Sequence, residues 1–403
     1  MADARETVPL DAAWARLDAA LAGEAPAAEI VPVRAARGRW LRADQASRLE
    51  LPPFDKSAMD GYALLPGDER EEYRLLETVA AGQTPSARLL PGTTVKVMTG
   101  APVPEGTGKV VMREDTEEVG EIVRVVRHDD RPNLCRRGED VRVGDVLLRA
   151  GRRLGPVDVA NLISCGVTEV PVAPRVKVAV LSTGDEIAAD PADLRPGMIM
   201  DSNGPMLSGL AAAHGLEIVR ERAVRDDLGE TIAALEDALD AADLVVLSGG
   251  VSVGDFDYVL TAFERIGLKV HFSLIAVKPG RPTVFASRGR RAVLGLPGNP
   301  VSVFLMFHLF VLRAAARLGG VAPVLREFRM TLASGFRRRK TDRLEFVPVR
   351  LTEAAGVAPV EFHGSAHLAA LAEADGFFAV PVGVAEVPAG QLVRFVPFAE
   401  GGA

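Results

Sequence analysis

Three apolar runs, at residues 176–181, 244–247 and 292–296, constrain this 403-residue chain more than any other feature. Each lacks the alternation of a half-exposed strand, and each is the length of a strand buried on both faces. Each ends in a loop of Gly, Ser, Asp or Pro: Ser182-Thr-Gly-Asp-Glu186, Ser248-Gly-Gly-Val-Ser-Val-Gly-Asp255 and Pro297-Gly-Asn-Pro-Val-Ser302. Helical spacing fills the intervals. Met206, Leu207 and Leu210 share one face after Ser202, and Leu228, Ile232, Leu235 and Leu239 form a stripe behind Asp227 and its capping partner Glu230. Residues 216–219 fit a further strand. Strand, loop and helix in repetition predict a central three-layer α/β domain with a parallel sheet covered on both faces.

The flanks have a different texture. Between about 51 and 148, short apolar runs broken by Gly and Pro predict a small β domain, and a β-rich tail follows residue 320, interrupted by a helix near 365–374. Leu10, Trp14, Leu17 and Leu21 recur at helical spacing, with Thr7 placed to cap the start. The length suggests about three domains. Lys plus Arg number 47 and Asp plus Glu 54, a net charge of −7, which excludes a global basic field for nucleic acid. Two cysteines, Cys135 and Cys165, exclude a disulfide scaffold or a four-cysteine zinc site, and neither has a paired base in sight. His363 and His367 are four apart but lack a third ligand, while His271 and His308 sit in apolar surroundings. The apolar stretch at 301–312 is shorter than the roughly 20 residues of a membrane span, and the first twenty residues lack the apolar run of a signal peptide. We therefore expect a cytoplasmic protein with neither membrane nor nucleic acid as partner.

In an open parallel sheet, ligands bind beyond the carboxyl ends of the strands. Backbone N–H groups and the helix dipole there attract anions, and glycines let a phosphate approach closely. Lys278-Pro-Gly-Arg-Pro282 adds a rigid turn with two cations. Carboxylates at the loop ends suit Mg²⁺, which takes one or two of them together with phosphate oxygens. These residues point to a phosphorylated or nucleotide-like ligand with Mg²⁺. The competing reading is that each loop merely holds helix caps. Neither the P-loop nor the dinucleotide fingerprint is present.

Taken in order, Pro53-Phe-Asp-Lys-Ser-Ala-Met-Asp-Gly-Tyr62, Met98-Thr-Gly-Ala-Pro-Val-Pro-Glu-Gly106, Gly138-Glu-Asp140, the Ser182 and Ser248 loops, Asp201-Ser-Asn203, Lys278-Pro-Gly280 and Gly295-Leu-Pro-Gly-Asn-Pro-Val-Ser302 resemble the molybdopterin molybdenumtransferase family, which includes the gephyrin carboxy-terminal domain. The resemblance runs from about residue 5 to 398. It implies insertion of molybdate into adenylyl-molybdopterin with release of AMP, assisted by Mg²⁺. It also implies a homodimer whose cleft is shared between subunits, and a molybdopterin adenylyltransferase as partner. The implied organisation is multi-domain α/β plus β. An amino-terminal, discontinuous domain (1–45 and 147–173) and a β-rich domain closing the partner's cleft (46–146) would precede the molybdopterin-binding domain (174–321), which resembles the adenylyltransferase fold, and a carboxy-terminal β domain (322–403).

The resemblance assigns catalytic roles to Asp255, Glu186, Asp60 and Asp140, with Glu186 and Asp255 holding the metal. Substrate would be bound by Thr99, Ser182, Thr183, Gly184, Asp185, Ser248, Gly249, Gly250, Ser252, Lys278, Arg281, Pro297, Pro300, Ser302 and Arg343. The chain departs from the pattern where Arg281 replaces a lysine, where Gly108-Lys109 replaces an Ala-Asp-Ala run, and where Ala369 and Ala370 replace two serines. That last change raises the alternatives of a tungstate-inserting or non-catalytic molybdopterin-binding paralogue, besides a gephyrin-like scaffold.

Overall fold

The computed structural model describes residues 6–127, 130–250 and 258–398. The chain divides into two compact units: residues 1–29, 38–40 and 173–403 form the first, and residues 30–37 and 41–172 the second.

The first unit is built on a six-stranded sheet in the spatial order Glu217–Val224, Lys177–Thr183, Leu244–Ser248, Arg291–Leu296, Val284–Arg288, Lys269–Phe272. The first four are parallel. The expectation of an all-parallel sheet fails at one edge, because Val284–Arg288 runs antiparallel to both of its neighbours. The cause is a two-residue turn, Gly289-Arg290, that folds this strand back onto Arg291–Leu296. Gly289 takes a left-handed φ of +58°, the conformation such hairpins need. Side chains alternate across the sheet: Val178, Val180, Leu244 and Val246 face one core, Ala179, Leu181, Val245 and Leu247 the other.

The helices Leu228–Ala241 and Tyr258–Arg265 lie on the second face. Asp227 caps the former by accepting from Glu230 N–H, while Glu230 pairs with Arg225 rather than closing a capping box. Helices Leu10–Ala20, Asn203–Ala213 and Pro300–Met306 cover the first face. Thr7 does not cap the Leu10–Ala20 helix; it sits in a two-residue strand beside Leu274. Trp14 lies 4.7 Å from the Arg313 guanidinium, and Asp18 pairs with Arg313 and Arg317 at 2.6 and 2.7 Å. The helical run of residues 300–318 is long and apolar enough to cross a membrane, but it is mostly buried in this core.

The tail is a small barrel. Strands Leu344–Leu351, Gly356–Pro359, Phe328–Leu332, Leu392–Pro397 and Gly376–Val380 follow one another, and the last pairs back onto the first. Closure removes the free edges. The tail helix is a single turn, Ala369–Ala372, shorter than its sequence suggests.

The second unit carries a six-stranded sheet in the order Lys109–Met112, Gly61–Leu64, Thr93–Val97, Glu72–Val79, Ile122–Val125, Thr116–Val119. A separate core gathers Val33, Leu41, Leu148, Leu154, Leu162 and Val170, around the helix Pro156–Ser164.

Candidate active site at the carboxyl ends of the sheet

Ser182, Ser248 and Leu296 are register neighbours across three parallel strands, so the three loops leave the sheet side by side. Gly249 N–H donates to Leu296 O at 3.1 Å. Gly249 has a φ of +93°, and a Cβ there would fall 2.4 Å from Thr183 O; one on Gly250 would fall 2.8 Å from Thr183 Oγ1. The backbones therefore pack at a distance only glycine permits. Thr183 Oγ1 donates to Ser248 O at 3.3 Å.

Asn203 locks the arrangement. It opens the Asn203–Ala213 helix, and its Nδ2 donates to Ser248 Oγ at 2.8 Å and to Gly298 O at 2.7 Å. Its Oδ1 is buried with no hydrogen-bond partner among the described residues. A buried acceptor left open costs free energy that a donor from a ligand would recover. Gly204 N–H donates to Asp201 Oδ1 at 2.9 Å, and a Cβ on Gly204 would come 2.9 Å from Ser182 Oγ. The sequence placed Asn203 in a family motif without giving it a role; its position at a helix start beside a strand-end serine was the available signal.

Carboxylates gather at the rim. Asp226 N–H donates to Asp185 Oδ1 at 3.2 Å. Glu186 folds over Gly184, where a Cβ would lie 2.5 Å from its Oε2. Partial burial, then the charges of Asp185 and Glu186, hold the Asp226 carboxyl above the usual carboxylate range. The sequence points to the neighbouring Asp227 as a helix cap and gives no signal for Asp226. Asp255 and Ser252 lie outside the described residues. Among the described residues no cluster of three or more metal-ligating side chains converges on one point. The donors are nonetheless all oxygen, and Mg²⁺ needs few protein ligands when phosphate and water supply the rest.

The Lys278-Pro-Gly280 turn packs on the helix that follows Pro297. Gly280, at φ +112°, would place a Cβ 2.7 Å from Met306 Cε. Lys278 Nζ pairs with Glu345 at 2.7 Å. Arg281 turns toward the amino-terminal strand, its Nη2 donating to Thr7 Oγ1 at 3.3 Å. Arg343 lies near Asp342, at 3.5 Å. Ser302 is buried in the first turn of Pro300–Met306. The tail strap reaches the same helix start: Asn299 Nδ2 donates to Ser365 Oγ at 2.8 Å and Val301 N–H to Ser365 O at 3.0 Å.

In the second unit, Thr99 donates both its N–H and its Oγ1–H to Asp60 Oδ1 at 2.7 Å. The hydroxyl, then the backbone amide, hold the exposed Asp60 carboxyl below its usual range. Asp140 is exposed on a turn whose backbone N–H donates to Leu51 O at 3.0 Å.

Models of known families match nearly the whole chain: "MoeA N-terminal region (domain I and II)" over residues 8–166, "Probable molybdopterin binding domain" over 179–317 and "MoeA C-terminal region (domain IV)" over 330–398. A molybdopterin molybdenumtransferase of Staphylococcus epidermidis is 32% identical over 371 residues, 89% of this chain and 88% of that one. One from Staphylococcus aureus is 32% identical over 88% of each chain. The chain belongs to the molybdopterin molybdenumtransferase family. The crystal structure of the molybdopterin biosynthesis protein MoeA of Pyrococcus horikoshii OT3 superposes with a TM-score of 0.81 at 29% identity, covering 98% of this chain and 100% of that one. Within this molybdopterin molybdenumtransferase family member, the two alanines that replace serines differ in setting. Ala370 is buried with Val360 and Ala374, so a hydroxyl there would point into a small apolar cluster, whereas Ala369 is exposed.

Proposed function

We propose that this chain inserts molybdate into adenylyl-molybdopterin and releases AMP, the last step of molybdenum cofactor synthesis. The observation that carries the reading is the open acceptor Asn203 Oδ1, buried where the three strand-end loops meet. A pterin offers ring N–H and amino donors that suit it. The glycines at 249–250 pack against Thr183 and so hold the strand-end loops close together beside it. Lys278, Arg281, Ser302 and Arg343 supply the positive and hydroxyl groups for an oxyanion.

Mg²⁺ fits the oxygen-only donors Glu186 and Asp185, with Asp226 beside them, and Asp255 as expected from sequence. When bound it would neutralise charge on the phosphoanhydride. The chain's own part is to hold the pyrophosphate against the strand ends and to orient a water toward the phosphorus through a carboxylate of this group. Asp60, Thr99 and Asp140 would close the cleft of a partner subunit in a homodimer. The domain division expected from the sequence, a cytoplasmic location and delivery of substrate by a molybdopterin adenylyltransferase belong to the same proposal.

The test is AMP release from adenylyl-molybdopterin as molybdate is added. Glu186→Gln should slow release by about 100-fold, with an unchanged thermal transition. Asn203→Leu should weaken molybdopterin binding by about ten-fold, the worth of one buried hydrogen bond. Unaltered turnover in the first variant together with unaltered binding in the second would overturn the proposal.

A further inference from the structure

We propose that Glu345 is a positioning residue, which fixes the Lys278 ammonium for the incoming oxyanion and is itself fixed by the buried Arg338. The inference rests on the reading of Lys278 as an oxyanion ligand.

Arg338 is a guanidinium with almost no contact with solvent: its side chain is 4% exposed. Its donors go mainly to backbone carbonyls. Nε donates to Val384 O at 2.7 Å, Nη2 to Pro381 O, and Nη1 to Arg343 O at 2.9 Å. Nη1 also reaches Glu345 Oε2 at 3.2 Å. The Glu345 side chain is 9% exposed, and its other oxygen, Oε1, takes Lys278 Nζ at 2.7 Å. Both carboxylate oxygens therefore serve a cation, one buried and one half-exposed.

The backbone enforces the same pairing. Val277–Lys278 adds to the barrel strand Leu344–Leu351 in parallel, with Lys278 opposite Glu345. One buried guanidinium thus ties down the acid that holds Lys278 and the carbonyl of Arg343, so two candidate oxyanion cations share one anchor.

Lysine is a flexible point charge whose long stem loses rotamer freedom when it binds. A carboxylate that already orders the ammonium removes that loss from the binding step. One of its three N–H donors is occupied by Glu345, and the others stay free to turn outward. Buried ion pairs contribute little net stability compared with apolar packing of the same volume. The Arg338–Glu345 pair therefore makes better sense as a positional device than as a stabilising one.

The experiment is steady-state AMP release against molybdate for the full chain, with adenylyl-molybdopterin affinity measured separately. Lys278→Ala and Glu345→Gln should each raise the molybdate KM by about ten-fold, with nucleotide-substrate affinity unchanged. Combining them should add little beyond either alone. Glu345→Asp should restore part of the loss. Because Glu345→Gln leaves Arg338 buried without its counter-charge, Arg338→Met/Glu345→Leu provides a second route. It keeps the core apolar and should fold, yet show the same rise in KM. If Lys278→Ala raises the KM while both Glu345 routes leave it within two-fold of the parent, the positioning role is overturned and the Lys278 reading survives. A KM unmoved by Lys278→Ala overturns both.

Discussion

At the carboxyl ends of the mixed sheet, Ser248 and Asn203 are buried, bonded to each other and packed against glycines that leave no space for a methyl group. In the β-rich unit, Asp60 is open to solvent and steered by Thr99, and Gly100 beside it has nothing within 4 Å of where a Cβ would sit. Both regions carry residues expected to touch substrate, but they are built differently. The first gains its polarity from a closed framework in which a single change propagates. The second holds one charge on a loop that tolerates change around it.

The sharpest way to break this contrast is to place alanine at a left-handed glycine in each region. Gly249, at φ +93°, would meet Thr183 O at 2.4 Å, whereas Gly100, at φ +81°, meets nothing. Both substitutions incur the left-handed strain of about 1–2 kcal/mol. Gly249→Ala adds an overpacking cost of about 1–3 kcal/mol. Denaturant unfolding should therefore show a loss of roughly 2–5 kcal/mol for Gly249→Ala and no more than about 2 kcal/mol for Gly100→Ala. Molybdopterin binding should be abolished in the first and kept in the second. Equal losses in the two variants would mean that the strand ends are no tighter than the loop.

Much of this framework was legible in the sequence, for a physical reason. Strands such as Leu244–Ser248 are buried on both faces and so read as unbroken apolar runs, and a parallel arrangement puts their ends, with Ser182 and Ser248, in one row. The antiparallel edge was hidden because residues 284–288 and 291–296 join through two residues, and a search for strand–helix alternation passes over such a turn. Asn203 stood in a motif but without a role, and Asp226, Arg338 and Glu345 had none either, because their meaning lies in partners remote in sequence: Ser248 and Gly298 for Asn203, Lys278 for Glu345. Asp60 and Thr99, by contrast, lie in motifs to which the resemblance assigns roles, and they are bonded to each other.

Acid should separate the two units next. All five described histidines belong to the first unit, and His308 lies in its buried helical run. Burial pushes the His308 pKa down to about 4; its Nδ1 bonds Phe304 O at 2.8 Å, and His214 lies 6.1 Å away, ring to ring. In the unfolded chain the same imidazole takes up a proton near pH 6.5. The unfolded state thus binds more protons below that pH, and stability falls as pH drops from about 6.5 toward about 4. Between pH 7 and pH 5 the loss from this one group is about 2 kcal/mol. His308→Phe should flatten the pH dependence of unfolding of the first unit. An undiminished slope in that variant would place the acid sensitivity elsewhere.

The smallest effect is expected at Thr99, and it tests whether the exposed loop works by electrostatics alone. Thr99→Val keeps the shape of the side chain and the backbone N–H bond but removes the hydroxyl bond, the larger of the two influences that hold Asp60 below its usual range. The Asp60 titration midpoint, followed by carboxyl carbon NMR, should therefore move up toward that of an ordinary carboxylate. The acid limb of AMP release should follow it upward if Asp60 acts as an anion. Unfolding at pH 7 should stay within about 0.5 kcal/mol of the parent, as for other exposed substitutions. A midpoint that does not move would show that the backbone amide alone sets the Asp60 charge. A marked loss of stability would show that this loop, like the strand ends, is part of a closed framework.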